Sequence, residues 1–182
     1  MESSMTQVIR SVVRPRVLAA VSISVVSAIL ALPSSFAMAA QAGPDDSEAL
    51  RGVTVGKVVF DINATDPKTL AAYLQVIEQT HDDLLRQKVT PDIILAIRGF
   101  AVTFFSADRK RFDPAKQEHL EAIAEHVRRL RDKGVRLESC AIAMRWNQVD
   151  QSTLLDGIKA VGNTFVSLTA YQAKGYAVIP IY

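Results

Sequence analysis

Gly134-Val135-Arg136-Leu137-Glu138-Ser139-Cys140-Ala141-Ile142-Ala143-Met144-Arg145-Trp146 changes its period in the middle. Gly134 stops a helical pattern, and Val135 to Ser139 reads as a short strand. Cys140 closes that strand, and Ala141 to Trp146 reads as the first turns of a helix. A thiol at this junction meets unpaired backbone N–H groups and the positive end of a helix dipole. Both favour thiolate over thiol, and the thiolate is the nucleophile. The backbone N–H groups of Ala141 and Ile142 are the expected donors. The other reading of Cys140 is a small buried hydrophobe, because free cysteine is among the most buried residue types.

The same strand-then-helix alternation extends on both sides. Val58 to Ile62 is a β-rich apolar run. Asp66-Pro67 matches an N-cap with proline at the first helical position. Leu70, Tyr73, Leu74, Ile77, Leu84 and Leu85 then recur at the steps of one helical face between Lys68 and Gln87. Asp92 to Ile97 is a continuous apolar strand. Such a run suits a parallel sheet covered on both faces. A short helix is expected over Phe100–Phe105, with Phe100, Phe104 and Phe105 offering apolar surface for self-association. Asp113-Pro114 starts a long helix whose stripe is Leu120, Ile123, Val127 and Leu130. Ile158–Val161, a helix from Thr164 to Lys174, and Ala177–Ile179 complete the pattern. This alternation predicts an α/β fold: a three-layer α/β/α sandwich around a mostly parallel five-stranded sheet.

In such sheets ligands sit beyond the carboxyl ends of the strands. Three places meet that rule: Asp61-Ile62-Asn63, Arg98-Gly99 and Cys140. Arg98 there can hold an anion or stabilise a thiolate, or serve as an ordinary ion pair. Asn63 can donate to a ligand or simply close a turn. Gly99 points to backbone geometry first. Trp146 can flank the thiol or pack at a subunit interface.

Residues 1–40 have the form of a secretory signal peptide. Arg10, Arg14 and Arg16 precede an uncharged, mainly apolar run of 16 residues from Val17 to Leu32, and small-residue cleavage patterns follow. An uncleaved anchor is the alternative, although 16 residues falls short of the roughly 20 that span a bilayer. Residues 41–52 read as a flexible leader and 53–182 as the folded domain. The expected location is periplasmic or secreted, with no membrane attachment after cleavage.

The chain has 21 Lys+Arg and 19 Asp+Glu. Arg10, Arg14, Arg16 and Glu2 lie within residues 1–39, which leaves 18 basic and 18 acidic side chains beyond them. That balance gives no reason to expect a nucleic-acid partner. A single cysteine excludes an internal disulfide. His119 and His126 are seven apart on one helix, too far for the i, i+4 pairing that shares a metal. No metal site and no cofactor is expected, and the chain has no Gly-rich phosphate loop or Gly-x-Ser-x-Gly elbow.

Four segments carry a resemblance. They are Gly134-Val135-x-Leu137-x-x-Cys140-x-x-Ala143 with Arg145, Val58-Val59-Phe60-Asp61-Ile62-Asn63 with Asp66-Pro67, Ile97-Arg98-Gly99-Phe100-Ala101-Val102, and Gly175-Tyr176-Ala177-Val178-Ile179-Pro180. In this order and spacing they resemble the DsrE/DsrF-like family of sulfur-transfer proteins, from Lys57 to Tyr182. The resemblance implies a five-stranded parallel sheet between helices and a homo-oligomer such as a trimer or hexamer. It also implies a sulfur carrier or sulfurtransferase holding sulfane sulfur as a persulfide on Cys140, with a donor or acceptor protein as possible partner. Asn63, Arg98, Gly99, Ala141 and Ile142 would then surround the substrate. The alternative is a non-enzymatic oligomer of the same fold that binds a small ligand or partner, with Cys140 structural.

Overall fold

The computed structural model describes residues 44–182. The expected signal segment and the first residues of the leader lie outside these. Residues 47–52 form turns that are exposed apart from half-buried Leu50, and the Asp46 N–H donates to Gln87 Oε1 at 2.8 Å.

Five strands form one sheet: β1 (Val55–Ile62), β2 (Thr90–Ile97), β3 (Arg136–Cys140), β4 (Ile158–Val161) and β5 (Ala177–Ile181). Their order is β4-β3-β2-β1-β5, and every pairing is parallel. The helices between them are α1 (Pro67–Arg86), α2 (Gln117–Asp132), α3 (Ala141–Trp146) and α4 (Thr164–Ala173). Parallel neighbours need crossover connections, which is why strands and helices alternate along the chain.

Alternation within β1 and β2 divides the two faces. Val58, Phe60, Ile62, Ile93, Leu95 and Ile97 point to the larger core, where α1 and α2 bring Leu70, Leu74, Ile77, Leu120, Ile123, Val127 and Leu130. Val59, Ile94 and Ala96 point the other way, onto Leu168 and Tyr171 of α4 and onto Tyr176. The second face is also more polar. The Tyr171 hydroxyl donates to Glu138 Oε1 at 2.6 Å, and burial together with that carboxylate pushes the Tyr171 phenol up to about 12.

The expected caps form. Asp66 Oδ2 accepts from the Thr69 N–H at 2.8 Å. Asp113 Oδ1 accepts from the Ala115 N–H at 2.8 Å, in a 3-10 turn that leads into α2.

Two expectations about side chains need correction. Tyr73 and Leu85 are exposed, and His81 takes a place on the buried stripe of α1. At about 100° per residue, Tyr73 and Leu85 sit about 60° to either side of the stripe through Leu70, Leu74, Ile77 and His81. The segment Gly99–Phe105 is a 3-10 helix, and it buries Phe104 and Phe105 rather than displaying them. Phe104 lies edge-on to Phe100 at 5.4 Å and against Phe112 at 5.5 Å. Only Phe100 of the three remains on the surface.

Candidate functional site

Cys140 is the last residue of β3 and the N-cap of α3, with an extended backbone at φ −70° and ψ 114°. An N-cap side chain reaches the N–H groups of the second and third helical residues, not the first. Here those are Ile142 and Ala143, whose N–H groups lower the thiol pKa without closing a cap hydrogen bond to Sγ. Of the expected donors Ala141 and Ile142, Ile142 lines the cavity beside the sulfur and Ala141, the first residue of the helix, does not.

A second helix also points at the sulfur. Asn163 caps α4 by accepting the Phe165 N–H at Oδ1, 2.9 Å away. That leaves the N–H of Thr164, the first residue of the helix, for the sulfur. The Thr164 side chain is fully buried, and its hydroxyl acts on the sulfur as well. Burial pushes the Cys140 thiol up, but the N–H groups of Thr164, Ala143 and Ile142 and the Thr164 hydroxyl outweigh it. The net effect holds the thiol below its ordinary value.

Cys140 is only 5 % exposed, yet it forms part of the wall of a cavity of about 170 Å³. Arg98 and Gly99 contribute from the end of β2. Ile142, Ala143 and Trp146 contribute from α3. Asn163, Thr164 and Phe165 contribute from the start of α4. The expected groove at the ends of the first three strands is thus displaced. The cavity lies between the ends of β2 and β3 and the turn after β4, and β1 is not part of it.

Arg98 is beside the cavity but is not a free cation. Its Nε and Nη2 donate to Asp61 Oδ1 and Oδ2 at 2.6 and 2.8 Å, and its guanidinium lies 5.4 Å from the centre of the Phe165 ring. The bond to Asp61 raises the Arg98 pKa still further.

Asn63 is outside the cavity, packed behind Gly99. Gly99 has φ +57°, and a Cβ built there would lie 2.0 Å from Asn63 Oδ1. Asn147 Nδ2 donates to the Gly99 carbonyl at 3.2 Å and to the Ala143 carbonyl at 2.8 Å, tying the end of β2 to α3. Gly99 therefore serves the close approach of β2's end to its neighbours, and Asn63 defines how close.

Sequence reading missed Ala143, Asn163, Thr164 and Phe165. A signal for the last three was present: Asn163 follows the fourth strand and precedes a helical pattern, so that strand's carboxyl end met the same rule as the others.

The family profile described as the DsrE/DsrF-like family matches residues 36–181. No curated protein matches the chain. Among solved structures, a protein of unknown function, MTH1491 from Methanobacterium thermoautotrophicum, is similar with TM-score 0.56 and 21 % identity, over 69 % of this chain and 98 % of that one. The ychN protein from E. coli is similar with TM-score 0.52 and 17 % identity, over 69 % of this chain and 99 % of the other. These likenesses concern the fold.

Proposed function

Because the chain belongs to the DsrE/DsrF-like family, which is linked to sulfur relay, we propose that Cys140 carries sulfane sulfur as a persulfide and hands it to an acceptor thiol. The Cys140 thiolate attacks the outer sulfur of a donor persulfide. A bond forms between Sγ and that sulfur, the donor's S–S bond breaks, and the donor leaves as a thiolate that takes a proton from water. An acceptor thiolate then attacks the outer sulfur and releases Cys140 as thiolate. Sulfane sulfur moves without net oxidation or reduction, through one covalent intermediate.

One observation carries this reading. The Cys140 sulfur lies in a cavity wall where two helix amino ends favour its anion. Intact-mass measurement after exposure to sodium polysulfide tests it. Wild type should gain sulfur and Cys140→Ser should not. A thiol that gains none, and alkylates only on unfolding, ends the carrier reading.

The low exposure of Cys140 favours a second reading, a ligand-binding oligomer in which the thiol is packing. A negative result in that measurement selects it. The proposal also includes export, supported by the pattern of residues 1–40, and self-association. Support for self-association is the outer side of α4. That helix carries no charged residue, and Val166, Thr169, Ala170 and Ala173 are exposed on it.

A further inference from the structure

We infer that the donors and acceptors served by Cys140 are small thiols and persulfides with an uncharged, apolar group next to the sulfur. This assignment rests on the carrier reading above. The apolar side chains in the wall of the cavity that Cys140 lines are Ile142, Ala143, Trp146 and Phe165. Trp146 is 81 % exposed and Phe165 is 62 % exposed, so the rim offers aromatic surface that water solvates poorly and that an apolar group would cover.

Each polar side chain in the wall makes at least one contact within the fold. Asn163 caps α4, Thr164 faces the sulfur, and Arg98 is held by both oxygens of Asp61. The Arg98 charge is thereby balanced, and Phe165 covers the guanidinium from one side. A carboxylate or sulfonate brought to this wall would leave water without gaining a free counter-charge. A hydrocarbon group loses nothing there and gains burial.

Size points the same way. About 170 Å³ is well below the roughly 300 Å³ at which drug-sized sites begin, so the cavity encloses only a small group beside the sulfur and leaves the bulk of a tripeptide thiol outside it.

The test follows loading of the full chain by quenched intact-mass time courses. The donors are benzyl hydropersulfide, glutathione hydropersulfide, thiosulfate and sodium polysulfide. Each rate is divided by the rate at which N-acetylcysteine reacts with the same donor, which removes intrinsic reactivity. Benzyl hydropersulfide should exceed glutathione hydropersulfide and thiosulfate by about ten-fold or more, the discrimination an apolar pocket gives. In the Trp146→Ala, Phe165→Ala double variant that ratio should fall to about three-fold or less. Both side chains are exposed, so the variant should fold.

Equal or faster loading from glutathione hydropersulfide or thiosulfate would overturn the substrate assignment and leave the carrier role standing. So would a benzyl preference that survives in the double variant. No loading from any donor, polysulfide included, would remove the carrier role and this assignment with it.

Discussion

At the Cys140 sulfur two effects oppose each other, and the amino ends of α3 and α4 win over burial. Thr164 supplies both an N–H and a hydroxyl, so Thr164→Val should raise the thiol pKa. The variant's iodoacetamide rate, plotted against pH, should have its midpoint moved upward. At pH values below the midpoint its rate should fall by roughly ten-fold for each pH unit that the midpoint rises. An unchanged profile would mean the hydroxyl does not act on the sulfur. The sign for stability follows from the same lowered pKa. The folded thiol ionises below its unfolded value. Its contribution relative to Cys140→Ser is therefore full above that value and fades as pH falls through the lower folded pKa. Gly99 gives a second prediction at this scale. Gly99→Ala combines a left-handed backbone with a contact at 2.0 Å to Asn63, and should cost about 2 kcal/mol or more in urea denaturation. Adding Asn63→Ala should recover part of that loss, because it removes the clashing oxygen but not the backbone strain.

Most of the elements were legible in the sequence, because their signals are local. Asp66-Pro67 and Asp113-Pro114 mark helix starts through chemistry within three residues, and Gly134 marks a helix end with φ +82°. Asp66 also supplies a measurable consequence. The Thr69 N–H and hydroxyl hold its carboxyl below the usual range. Asp66→Ala should cost about 1 kcal/mol at neutral pH. A lowered folded pKa means the cap's contribution is present above the unfolded value of about 3.9 and is lost as pH falls through the folded one. The difference in Tm between wild type and variant should therefore shrink toward zero near pH 2. The sequence was less informative about which side of an element faces inward at its margins. Tyr73 and Leu85 show this on α1, as do Phe104 and Phe105 in the 3-10 segment. On α1 these two residues lie at the margins of the buried stripe, whereas in the 3-10 segment the packing of α2 and α3 against it buries the rings.

Across the whole molecule, the two faces of the sheet are unequal. Among the described residues, one face carries α1, α2 and α3, whereas α4 is the helix that packs on the other, with an uncharged outer side. Self-association through that side predicts sedimentation as an oligomer at tens of micromolar, an order-of-magnitude choice for affinity. Val166→Glu with Ala170→Glu should then yield a folded monomer. A wild type that sediments only as monomer would remove the proposal. The sequence by itself determined the alternation of strands and helices, the parallel sheet that alternation requires, and the place of Cys140 at a strand-to-helix junction. Period, cap and turn act over a few residues, so they are written where they act. Only the tertiary structure decided that β3 lies between β2 and β4, that Asp61 neutralises Arg98, and that the amino end of α4 meets a sulfur 24 positions earlier in the chain. Those contacts join residues far apart in sequence. They exist because the strands pair in one order among several that the same local pattern permits.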